Sequence, residues 1–123
     1  MTKGQIEDVI AKSVTKFYFK LLGVGPRETR VYLLRDMIII RLKGKLLPIE
    51  EHLLKSSQGV ELVKDIRKFL HESTVKGVSE LIKSTTGHSV ISSHSDISTK
   101  SGEIFQVYIL DKDYESEIPN SSG

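Results

Sequence analysis

The chain reads as an α+β domain, a mainly antiparallel four-stranded sheet with helices packed on one face, in the order α-β-β-α-α-β-β. Three observations predict this. Apolar residues recur at spacings of three and four over residues 3–22 and again over 60–86, which is the helical period. Two pairs of β-rich runs, 30–34 with 37–42 and 88–97 with 104–110, are each joined by turn residues. Hairpins followed by helices favour an antiparallel sheet with the helices gathered on one side.

The first helix places Ile6, Val9, Ile10, Val14, Phe17 and Leu21 along one stripe. Thr2 and Gln5 have the spacing of a capping box, and Gly23 stands where a left-handed cap would end the helix. Gly23-Val24-Gly25-Pro26 then breaks any regular element. Arg30–Leu34 and Met37–Leu42 are separated only by Arg35-Asp36, the signature of a tight hairpin. Four successive apolar residues from Met37 to Ile40 mark a central strand covered on both faces.

Pro48 suits the first turn of a short helix anchored by Leu53 and Leu54. The run Ser56-Ser57-Gln58-Gly59 separates it from the long helix. Leu62, Val63, Ile66, Phe69, Leu70, Val78, Leu81 and Ile82 form the expected core face there, with a bend near Gly77 and a cap at Gly87. The segment 88–97 is rich in serine and histidine, so it belongs at a sheet edge. Ile104–Leu110 is strongly β-forming. One domain, 1–110, is expected, followed by a charged tail, 111–123, that frays.

Composition excludes several classes. With no cysteine, thiolate chemistry, disulfides and cysteine metal sites are ruled out. A net charge of +2, from 18 basic and 16 acidic residues, gives no general field for nucleic acid. No apolar run approaches the roughly 20 residues needed to cross a bilayer, and the first residues carry acids where a signal sequence would be apolar. A cytoplasmic protein is therefore expected.

Two loops carry the candidate binding chemistry. Gly23 and Gly25 would let a ligand approach the backbone, although a tight helix-to-strand connection uses the same residues. Asp96, Ser98, Thr99 and Lys100 combine a carboxylate, hydroxyls and a cation in the second loop. A nucleotide-type cradle feeds a helix, whereas this loop feeds a strand, so a hairpin turn with Gly102 in the left-handed position is the favoured reading. His94 and Asp96 lie two apart and share a strand face, but two ligands fall short of a stable metal site. Lys64, Arg67, Lys68, Lys76 and Lys83 give the long helix a basic outer face. No residue sits at a nucleophile elbow, so neither an enzyme nor a cofactor is expected.

Taken together, Gly23–Pro26, Arg30–Met37, Arg41–Gly44, Leu47-Pro48 with Glu50, and Ser95–Glu103 resemble the MpsC family, from about residue 2 to 110. Leu47 departs from it, since a threonine that would cap the short helix usually precedes that proline. The family's name refers to a sodium-translocating, membrane-potential-generating system in bacteria. The resemblance implies an accessory role beside ion or bicarbonate transport, peripheral to the inner face of the cell membrane. It supplies no catalytic residues.

The expected function is thus a non-enzymatic interaction or regulatory protein that self-associates as a homodimer and contacts a membrane transport protein. Two alternatives remain at this level. One is a KH-like nucleic-acid-binding module, suggested by the α-β-β-α-α-β order but opposed by a 56–59 junction with one glycine and no cation. The other is a small anion or nucleotide sensor built where the 23–26 and 95–102 loops converge.

Overall fold

The computed structural model describes residues 1–23, 25–44, 48–98 and 100–119. The elements follow the expected order: α1 (Lys3–Leu22), β1 (Glu28–Leu34), β2 (Met37–Lys43), α2 (Pro48–Leu53), α3 (Ser57–Thr86), β3 (Val90–Ile97) and β4 (Ile104–Leu110). A short 3₁₀ turn, Glu115–Glu117, follows. All three strand pairings are antiparallel, in the spatial order β1-β2-β4-β3.

Local chemistry sets the boundaries. Thr2 accepts from the Gln5 N–H while the Gln5 side chain accepts from the Thr2 N–H, the reciprocal capping box expected at the start of α1. Gly23 (φ 77°) and Gly87 (φ 77°) end α1 and α3 in the left-handed region. The β1–β2 turn puts Arg35, a non-glycine, at φ 59°. That conformation is held from outside the hairpin, because the Arg35 N–H donates to Glu115 and its carbonyl accepts the Glu115 N–H.

One face of the sheet carries the core. Val31, Leu33, Ile38, Ile40, Leu42, Tyr108 and Leu110 meet Ile6, Ile10, Val14 and Tyr18 of α1 and Val78 and Ile82 of α3. Gly77 permits the α1–α3 approach, since a methyl group there would lie 2.6 Å from the Phe17 ring. Gly59 does the same for α2 on α3, because a methyl group would overlap the Leu53 carbonyl. Beside it the Arg67 guanidinium grips the buried Glu50 carboxylate through two oxygens, at 2.8 and 2.6 Å.

Several expectations need correction. Tyr18, not Phe17 or Leu21, completes the α1 stripe, and Val9 and Leu21 are exposed. Leu62, Ile66 and Phe69 also point outward, whereas Val63, His71, Thr74, Val78 and Ile82 face in. The first half of α3 is backed by α2 and the second half by α1 and the sheet, so tertiary packing rather than apolar spacing chose its inner face. α3 runs unbroken through Gly77. Arg67 leaves the expected basic outer face to meet Glu50.

Strand β2 is central, as expected, but helices cover only one of its faces. Residues 111–119 are docked rather than frayed: Tyr114 and Ile118 pack on the core, and Lys3 pairs with Glu115 at 2.8 Å. The rest of the expected tail, 120–123, and the Leu47 position lie outside the described residues.

Candidate functional site

Alternation along the strands sends every second residue to the face that, among the described residues, no helix covers. The register arranges those residues in cross-strand rows. Leu34, Met37, Ile109 and Ser92 form the first row, and Tyr32, Ile39, Val107 and His94 the second. Arg30, Arg41, Phe105 and Asp96 form the third, with Glu28 and Lys43 beyond them. Leu34 is 47% exposed, Phe105 43% and Tyr32 39%; Met37, Ile39, Val107 and Ile109 are half-buried only by their neighbours. A bulge between Val90 and Ser92 pushes Ile91 out, 66% exposed, at the edge of the apolar end.

The face is therefore divided into an apolar end and a charged end. At the charged end Glu28 accepts from the Arg30 guanidinium and Glu103 from that of Arg41. These bonds hold both carboxyls below their ordinary range. Arg30, and secondarily Arg41, also lower the Tyr32 phenol. The carboxylates and the two guanidinium groups thus stay ionised, and the charged row keeps its pattern at neutral pH.

A second feature lies between α3 and β3, a cavity of about 430 Å³ lined by Tyr18, Lys68, His71, Ser93, Ser95 and Gln106 among others. Two of its lining residues, Tyr18 and Gln106, belong to a buried hydrogen-bond chain. Tyr108 donates to Gln106 at 3.2 Å, Gln106 donates to the Tyr18 hydroxyl at 2.9 Å, and that hydroxyl meets Thr74 at 3.4 Å. Burial raises the Tyr108 phenol far above its usual range. His71 Nε2 meets the Ser93 hydroxyl at 3.2 Å, and burial lowers the imidazole, which keeps it neutral. These groups are mostly satisfied by one another, as a specifying core network would be.

The residues singled out from sequence fall in separate places. Gly23 is the cap of α1, and Gly25 lines a shallow groove with Phe19 and Pro26. Asp96 sits on the open sheet face, where its carboxylate accepts the Ile97 N–H. The 23–26 and 95–102 loops lie at the same end of the sheet, with β2 between the strands they flank. Ser98 turns inward on its own loop: its hydroxyl accepts the N–H groups of Lys100 and Ser101, and its carbonyl accepts that of Gly102. The backbone N–H groups of Lys100, Ser101 and Gly102 are thereby engaged within the turn. Gly102 has φ 76°, the left-handed position expected of the turn, and Lys100 is exposed. Thr99 lies outside the described residues. His94 and Asp96 share the sheet face, and among the described residues no group of three or more His, Asp or Glu is placed to hold a metal ion.

Sequence reasoning missed the His88 cluster. Nδ1 meets Asp111 and Nε2 meets Glu117, both at 2.9 Å, and the hydrogen bond to Glu117 leads in raising the imidazole above its ordinary value. The partners lie more than twenty residues away, so no local pattern announces them. The 56–59 junction likewise proves to be the N-cap of α3, with Ser56 accepting the Gly59 N–H.

Among the described residues no helix is long and apolar enough to cross a membrane. Comparison with known proteins adds a family. Residues 2–112 match the family described as "Na+-translocating membrane potential-generating system (MpsC)". The chain is 38% identical over 117 residues to the "Uncharacterized protein YbcI" of Bacillus subtilis (strain 168), spanning 95% of this chain and 94% of that protein. No solved structure matches it. Matched along nearly its whole length, the chain belongs to the MpsC family.

Proposed function

We propose that this chain is a non-enzymatic docking protein, cytoplasmic and peripheral to the membrane, that joins a second copy of itself and serves a membrane ion-transport system. The observation that carries the reading is the uncovered sheet face, where Leu34, Met37, Ile39, Phe105, Val107 and Ile109 lie side by side. A contiguous apolar patch of this kind on a small domain marks an interaction surface. Several polar side chains that could do chemistry are engaged structurally: His71 Nε2 with Ser93, His88 with two carboxylates, and Ser98 with its own turn. The family description supports the link to ion transport. A dimer formed through the sheet leaves Leu62, Ile66 and Phe69 of α3 exposed as the surface for the transport component.

A photo-crosslinking residue placed at Ile39, and separately at Phe69, tests this in cells that carry the transport system. Position 39 should give an adduct of twice the chain's mass, and position 69 an adduct with an integral membrane protein. Adducts at neither position, with the protein expressed and folded, would overturn the proposal.

A further inference from the structure

We infer that two copies pack sheet face to sheet face about a two-fold axis parallel to the strands, with Arg30 of each copy against Asp96 of the other. This rests on the self-association proposed above and adds its geometry. Closed dimers use one patch twice, so the patch must be complementary to itself under the rotation. An axis running along the strands between β2 and β4 keeps each row at its own level and exchanges β1 with β3 and β2 with β4.

Each row then meets its own reversed order. Arg30 faces Asp96 and Arg41 faces the Phe105 ring, an ion pair and a cation over an aromatic face. Ile39 faces Val107, and Met37 faces Ile109, so apolar side chains meet apolar ones. Tyr32 faces His94, and Leu34 faces Ser92. An axis across the strands would instead lay the Leu34, Met37 and Ile109 row onto Glu28 and Lys43. That arrangement would bury charge against hydrocarbon, which is strongly unfavourable. The charge pattern thus selects one axis.

The size is modest. Strands of seven or eight residues, four abreast, give a face of about 23 Å by 19 Å. Two such faces total about 870 Å², just under the roughly 1,000 Å² at which specific interfaces begin, the size of a weak or transient contact. Aligned sheet packing about 10 Å apart brings the side chains of both faces into contact.

The test is a charge swap read by sedimentation equilibrium. Arg30→Glu and Asp96→Arg should each weaken the dimer by about tenfold or more, and the double variant should return to within about threefold of the parent. A second readout uses the absence of native cysteine. Tyr32→Cys with His94→Cys places two thiols at opposite edges of one sheet, about 14 Å apart, too far to bridge within a chain. A bismaleimide spanning about 8 Å, suited to facing sheets about 10 Å apart, should therefore yield a covalent dimer through the facing copy. A dimeric parent whose double charge variant is no better than the worse single one, with no cross-linked dimer, would overturn this geometry and leave self-association standing. A parent that stays monomeric at about 100 μM would overturn both.

Discussion

Replacing Gln106 with leucine should unsettle the buried hydrogen-bond chain more than its small change in volume suggests. Gln106 is 1% exposed and is the link between Tyr18 and Tyr108, donating to one hydroxyl and accepting from the other. Leucine removes both bonds at once. Tyr108 is fully buried, and among the described residues Gln106 is the one hydrogen-bond partner of its hydroxyl; Tyr18 keeps Thr74, 3.4 Å away. Leaving a buried hydroxyl without a partner costs about 1–3 kcal/mol, so the two losses come to roughly 2–4 kcal/mol. With a urea slope of about 2 kcal/mol/M, the unfolding midpoint should fall by about 1–2 M. The companion variant, Tyr18→Phe and Tyr108→Phe on top of Gln106→Leu, removes the stranded hydroxyls and should recover most of the loss. Urea titration followed by circular dichroism measures both. A single variant within about 0.5 kcal/mol of the parent, or a triple variant worse than the single one, would refute the claim that these groups stabilise by satisfying one another.

Gly59→Ala should destabilise by about 1–3 kcal/mol, although alanine is the better helix former, because the added methyl overlaps the Leu53 carbonyl and pushes α2 off α3; thermal melting measures it. His88 and His71 should titrate on opposite sides of the ordinary value near 6.5 when followed by NMR, His88 above it and His71 below it. The signs for stability follow. His88 stabilises fully below about pH 6.5 and loses its contribution as pH rises through its higher folded value, an effect His88→Asn should remove. His71, buried neutral, destabilises as pH falls below about 6.5 toward its lower folded value. Truncation after Leu110 removes Tyr114, Ile118 and the Glu115 contacts to Arg35 and Lys3, and should lower stability by about 2–4 kcal/mol in urea titration.

Regular features were legible where local chemistry decides them. The capping box at Thr2, the left-handed glycines at 23, 87 and 102, and the two-residue turn at Arg35-Asp36 are short-range devices, and each stands where the sequence places it. The strand order was not legible, because β2 pairs with β4 across more than sixty residues. Nor was the inner face of α3. Leu62, Ile66 and Phe69 follow helical spacing, yet His71 and Thr74 are buried in their place, since α1 and β3 supply polar partners for them. The open sheet face could have been suspected from Met37–Ile40, where alternate residues are as apolar as those facing the helices. Sequence reasoning took that run to mean two covered faces, and the helices supply only one cover. The serine-rich turn drew attention for its donors, but the N–H groups of Lys100, Ser101 and Glu103 are bonded to serine hydroxyls of the same loop.

The most direct measurement is the solution mass of the parent beside Ile39→Asp, by light scattering across about 1–100 μM. Ile39 sits mid-sheet on the uncovered face, half-buried among its neighbours, so a carboxylate there meets solvent in a lone chain and hydrocarbon in a paired one. The parent should move from monomer toward dimer over this range, and the variant should stay monomeric with its circular dichroism unchanged. A parent of single-chain mass throughout, or a variant that associates equally well, would contradict it.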